Sequence, residues 1–134
     1  MKNFRIKYVC FLIPFISFWA HSILTVEAAE PAMVVEQYIL ALKNGKIEAV
    51  KYLLSDKFYK KRKVLLENNP NYSEFLRKFY EDSEFRIMKT VQKNEQVYVD
   101  IEQTRKDGSS NMITLILHED KPGDWKINSE RLDP

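Results

Sequence analysis

The residues best suited to chemistry in this chain sit together in LILHEDKPGDWKI, positions 115–127. His118, Glu119, Asp120 and Asp124 fall within one short run. An imidazole beside carboxylates could hold a divalent metal or relay a proton between acid and base. The spacing argues against both. His118, Glu119 and Asp120 are consecutive at the end of an alternating stretch, so their side chains point to opposite faces and cannot converge on one ion. Zinc ligands are typically about two to four residues apart, with a second group elsewhere. Here His118 is the only histidine after His21, and no cysteine follows Cys10. Lys121-Pro122-Gly123-Asp124 instead has the chemistry of a tight turn: Pro presets φ, Gly accepts positive φ, and Asp bonds nearby amides. The stretch is a hairpin turn, and no catalytic residue, metal ligand or cofactor is assigned.

PAMVVEQYILALKNG reads as a helix, with Pro31 in the first turn, apolar residues at Val35, Tyr38, Ile39 and Leu42, and Asn44-Gly45 to end it. KIEAVKYLL presents Ile47, Val50, Leu53 and Leu54 on one helical face, so the two helices form a hairpin. Ser55 and Asp56 cap a third helix, KFYKKRKVLLE, which NNPN stops. Asn71 with Glu74 has the spacing of a capping box opening SEFLRKFYED, with Phe75, Leu76 and Phe79 turned inward.

The period then changes to two. Phe85, Ile87 and Val91 alternate with Arg86, Met88 and Thr90; Val97, Val99 and Ile101 with Tyr98, Asp100 and Glu102. Ile113, Leu115 and Leu117 alternate with Thr114, Ile116 and His118; Trp125 and Ile127 with Lys126 and Asn128. The connections KNE, KDGSS and EDKPGD are turn-rich. Helices followed by strands predict an α+β fold, a four-stranded antiparallel meander with helices on one face. In this phase the inner face is apolar apart from Lys89, and Asp100, Glu102 and His118 lie on the other face. On the outer face Met88, Tyr98, Met112 and Ile116 form an apolar stripe that would serve a homodimer. Trp125 is a core residue of the last strand or the floor of a ligand pocket.

The first thirty residues differ from the rest. Lys2, Arg5 and Lys7 precede an apolar run from Tyr8 to Ala20, and Val26-Glu27-Ala28 offers a small-residue exit. This is the pattern of a secretory signal peptide at residues 1–28, cleaved near Ala28; the alternative is an uncleaved N-terminal anchor that tethers the chain to a membrane. His21, Ser22 and Pro14 break up the apolar character an anchor needs. Removing residues 1–28 leaves equal numbers of basic and acidic side chains in residues 29–134, a single domain. That balance excludes a phosphate-binding excess and with it a nucleic-acid partner. It also leaves no stable membrane insertion after cleavage. Cys10 lies inside the leader, so the domain has no thiol to staple it, and its core must carry the fold. The basic run Lys57, Lys60, Lys61, Arg62 and Lys63 is either a solvated helix face around a buried Phe58 or a contact for an anionic membrane surface or an acidic partner. Asn71-Tyr72-Ser73 matches a glycosylation acceptor, meaningful only in a eukaryotic secretory pathway.

Leader, helix–Asn-Gly–helix, a middle helical stretch, a strand, the Asp107-Gly108 turn, a strand and a closing GDWKI together resemble the small exported members of the nuclear-transport-factor-2-like (cystatin-like) superfamily, over Pro31 to Ile127. The resemblance implies a cone, with helices in the concave face of a curved four-stranded sheet, often around an apolar pocket. Tyr38, Leu42, Phe58, Phe75, Phe85, Val99, Leu115 and Trp125 would line such a pocket. Many exported members carry a lipid-attachment cysteine that this chain lacks, which implies a soluble periplasmic or secreted form. The superfamily includes ketosteroid isomerases and polyketide cyclases, whose chemistry needs a pocket carboxylate and an oxyanion donor.

Three readings follow. The first is an exported non-catalytic module, without cofactor, that binds a small apolar ligand or a protein partner. The second is an isomerase- or cyclase-like enzyme, which requires a carboxylate in the pocket. The third is a purely structural dimerisation module with a filled core.

Overall fold

The computed structural model describes residues 30–133. The described residues form four helices followed by a curved four-stranded antiparallel sheet, the expected α+β arrangement. The leader, its cleavage position near Ala28 and Cys10 lie outside the described residues.

Helix α1, Glu30–Lys43, buries Pro31, Val35, Tyr38, Ala41 and Leu42. It ends at Gly45, whose φ of 62° is the left-handed conformation that Asn44-Gly45 predicts. A second constraint acts there: a Cβ on Gly45 would lie 2.3 Å from the Ser73 carbonyl oxygen. Helix α2, Ile47–Leu53, buries Val50 and Leu53. Ser55 then caps α3, Asp56–Asn68, its Oγ accepting from the Phe58 amide at 3.2 Å.

Helix α4, Tyr72–Tyr80, departs from expectation in two ways. Asn71 makes no side-chain cap bond, so the capping box with Glu74 does not form; the Asn71 amide donates instead to Asn69 Oδ1 at 3.1 Å. Tyr72 and Leu76 set the buried stripe, which rolls Phe75 and Phe79 onto the flank. They are 52% and 48% exposed and stack on each other with ring centroids 5.5 Å apart. Phase decides this, because one position of rotation about a helix is roughly 100°.

Strands β1, Glu84–Lys93, β2, Gln96–Thr104, β3, Ser110–Lys121, and β4, Asp124–Leu132, follow in sheet order. Asn94, Gly108 and Gly123 take positive φ in the three hairpin turns. The central strands keep strict alternation: Val97, Val99, Ile101, Ile113, Leu115 and Leu117 are buried against the helices. Asp100, Glu102 and His118 share the opposite face with Thr114, Met112 and Lys126, their partners across the ladders.

The edge strands do not keep the alternation. In β1 the register shifts between Ile87 and Lys89, leaving Met88 unpaired as a bulge. Beyond it Lys89 pairs with Asp100 and Val91 with Tyr98, so both lie on the outer face, and Thr90 and Gln92 take the inner positions. This reverses the expected placement of Val91 and removes Lys89 as the inner exception. In β4 the shift falls at Asn128, after which Glu130 pairs with Leu115. The inner face is therefore not wholly apolar. Glu130 stands on it, and buried Gln103 on β2 donates to Ser83 Oγ at 3.1 Å. Among the described residues no helix is long and apolar enough to cross a membrane.

Candidate functional site

The bulge at Asn128 brings Glu130 under α3, where Arg62 reaches down from the helix and pairs with its carboxylate. Arg62 Nη1 also points at the Tyr38 hydroxyl from 3.4 Å, and its guanidinium lies over the Phe58 ring, 4.7 Å from the centroid. One cation thus joins α1, α3 and β4. Burial pushes the Tyr38 phenol far above its ordinary range, with Arg62 opposing and Glu130 reinforcing the shift. Tyr80 is raised as well, by burial first and then by Glu130 and Tyr72. Burial alone would pull Arg62 down, but Tyr38 and Glu130 more than offset it and the net shift is upward.

These groups can do little acid–base work. A phenol held so high stays protonated and cannot act as a base near neutral pH. Glu130 accepts from Arg62, so its charge is already matched. Among the described residues no buried side-chain nitrogen or oxygen lacks a hydrogen-bond partner, and no group of three His, Cys, Asp or Glu could hold a metal. The cluster is a clamp between elements.

Apolar space lies instead along α1. One cleft of about 330 Å³ runs between α1 and α2, walled by Leu40, Ala41, Ala49, Tyr52 and Leu53. A second, of about 480 Å³, runs between α1 and β1, walled by Ile39, Leu40, Phe85 and Ile87, with Glu36, Lys43 and Arg86 at its rim. Leu40 is common to both and is 61% exposed. A leucine left in water between two greasy walls is a contact surface for an apolar group.

The positions singled out from sequence divide among these regions. Tyr38, Leu42, Phe58, Val99 and Leu115 are buried members of one core cluster. Phe85 is half-buried and walls the second cleft. Phe75 is exposed on α4, a correction to its inward placement. Trp125 is half-buried at the end of the sheet, opposite Glu119, beside a depression of about 390 Å³ between two hairpin turns. On β3 itself, His118 Nε2 and Asp120 Oδ1 are 2.6 Å apart near the surface.

The outer-face stripe is also revised. Tyr98 and Ile116 are cross-strand neighbours, and Val91 extends them into a row. The row Lys89–Asp100–Thr114–Arg131 separates them from Met112, and Met88 sits in the bulge. Met88, Tyr98, Met112 and Ile116 therefore do not form one apolar face.

Sequence reasoning missed Leu40 and the Arg62–Glu130 pair. Leu40 adjoins Ile39 in sequence, and only the packing of α2 and β1 shows which of the two stays in water. Glu130 carried one weak signal, Leu132 two positions on, which keeps the alternation only if a residue is skipped near Asn128.

No protein-family model and no curated protein matches the chain. Among solved structures, a SEC-C motif containing protein from Rhodopseudomonas palustris superposes with a TM-score of 0.54 at 16% identity, over 80% of this chain and 81% of that one. A DUF4783 family protein from Bacteroides ovatus gives a TM-score of 0.46 at 14% identity, over 72% of this chain and 91% of that one. The first likeness is one of fold.

Proposed function

We propose that this chain is an exported, non-catalytic binding module on the nuclear-transport-factor-2-like plan. It takes an apolar group, from a small molecule or a partner's side chain, into the clefts that flank Leu40. The observation that carries this reading is Leu40 itself, exposed on α1 between two clefts whose walls are largely apolar. Roughly 25 cal/mol is gained per Å² of apolar surface removed from water, so filling either cleft rewards an apolar guest without any buried charge. Export is supported by the basic start, apolar run and small-residue exit of residues 1–28.

The isomerase-like reading needs an unpaired carboxylate inside an apolar enclosure. Asp100 and Glu102 lie on the opposite face of the sheet, and Glu130 is paired with Arg62. A dimerisation module needs a continuous apolar sheet face, which the charged row through Asp100 and Arg131 interrupts.

The test uses anilinonaphthalene sulfonate as an apolar probe on the processed protein. Wild type is expected to enhance its fluorescence, and Leu40→Asp to abolish the enhancement while unfolding at the same temperature. Equal enhancement by both proteins would remove Leu40 from the account. Mass spectrometry of protein from culture fractions is expected to find an N-terminus near residue 29 and would reveal any co-purifying apolar ligand.

A further inference from the structure

The sequence left the basic run of α3 between a solvated face and a contact for an anionic surface, and the structure sorts its members. Arg62 turns inward to Glu130, and Lys63 lies 3.9 Å from Glu67. Lys57, Lys60 and Lys61 stay exposed and form no ion pair among the described residues. On the same solvent face, at i+7 and i+8 from Lys57, stand Val64, 69% exposed, and Leu65, 47% exposed. Phe58 and Leu66 occupy the buried side. The outward surface of α3 thus carries three unmatched cations at its start and two aliphatic side chains one turn further on. Adjacent exposed aliphatics beyond a lysine cluster would gain from removal from water. A helix lying on a bilayer places its aliphatic residues at the acyl boundary and its lysines among the headgroups.

We propose that the solvent face of α3, through Lys57, Lys60, Lys61, Val64 and Leu65, docks on a membrane surface rich in anionic lipid. Charge complementarity selects the occupant. Lysines are compact point charges suited to a field of headgroups. Val64 and Leu65 add a shallow apolar contact that a purely ionic partner would leave in water. This surface is separate from the Leu40 clefts, so binding at either can fail without the other.

Flotation of the processed protein with vesicles tests the idea. The vesicles are pure phosphatidylcholine, or phosphatidylcholine with roughly one third phosphatidylglycerol to set a negative surface potential. At low salt the protein is expected to float at least about tenfold more with the anionic vesicles, and about 0.5 M salt should abolish the difference by screening. The triple variant Lys57→Glu, Lys60→Glu, Lys61→Glu should fall to the phosphatidylcholine level. Val64→Ser with Leu65→Ser should lose several-fold while keeping its thermal midpoint, because both side chains are exposed. Equal flotation with both vesicle types would overturn the proposal, as would undiminished anionic binding by both variants. Loss in the triple variant alone, with the serine variant binding like wild type, would remove the apolar contact of Val64 and Leu65 and overturn the proposal as stated.

Discussion

Ser55 Oγ donates to Asn128 Oδ1 at 3.0 Å, joining the N-cap of α3 to the one residue of β4 that the ladder skips. The same hydroxyl accepts from the Phe58 amide, and the Ser55 amide donates to the Ile127 carbonyl at 2.8 Å. The start of the helix and the bulge of the strand are therefore built as one unit. That unit sets the phase of β4 beyond it and turns Glu130 toward Arg62.

Ser55→Ala removes a helix cap and a partly buried cross-element hydrogen bond together. The expected loss is about 2 kcal/mol, at the upper end for cap substitutions. Urea unfolding followed by circular dichroism measures it. Asn128→Ala keeps the cap and should cost about 1 kcal/mol.

Arg62 and Glu130 are each largely shielded, with side-chain exposures of 27% and 21%. Arg62→Met leaves a carboxylate without its cation and is expected to cost about 2 kcal/mol, as is Glu130→Gln. The double variant should cost clearly less than the two together, because neither partner is then left alone. A double-mutant cycle in urea gives the coupling. Additive losses would mean the pair does not interact.

The edge-strand phase was the part of the fold least legible in the sequence. Strict alternation placed the central strands and kept Asp100, Glu102 and His118 outside, because β2 and β3 have no irregularity in their mutual register. Bulges at Met88 and Asn128 leave no local signature in residue type, yet each reverses every side chain beyond it. Glu130 was hard to place for that reason, with Leu132 two positions on as its one weak signal. Turns were legible because Gly45, Gly108 and Gly123 need positive φ, which few other residues tolerate. On α4 Leu76 is inward as its spacing predicts, and only tertiary packing chose Tyr72 over Phe75 and Phe79 to join it. The clefts at Leu40 belong to no single segment, so no pattern within one could announce them.

Alkaline stability should report the buried tyrosines. The folded-state pKa of Tyr38 lies above its ordinary value of 10.0 through burial, so the folded protein holds that proton more tightly than the unfolded chain. The contribution is complete below pH 10 and is lost as pH climbs from there toward the folded value. The urea midpoint should therefore fall steeply above about pH 10. Tyr38→Phe should flatten that fall, while lowering stability at neutral pH by less than about 1 kcal/mol for its long hydrogen bond.

Gly45 is fixed twice, by its positive φ and by the Ser73 carbonyl, and Ser73 Oγ donates back to the Gly45 carbonyl at 2.6 Å. Gly45→Ala should destabilise by about 3 kcal/mol, the upper range for strained backbone, since both the turn and α4 must shift. A thermal midpoint equal to wild type would show that the turn relaxes freely.

An apolar guest is expected in the clefts beside Leu40, outside the core. Methyl-labelled protein titrated with dodecanol, followed by carbon–proton correlation spectra, reads that position directly. The predicted result is saturable shifts at the Leu40, Leu53, Ile39 and Ile87 methyls, with Val99, Leu115 and Leu117 unmoved. Shifts centred on Val99, Leu115 and Leu117 would place the guest inside the core, and no shifts at all would leave the clefts without a ligand; either outcome contradicts the account.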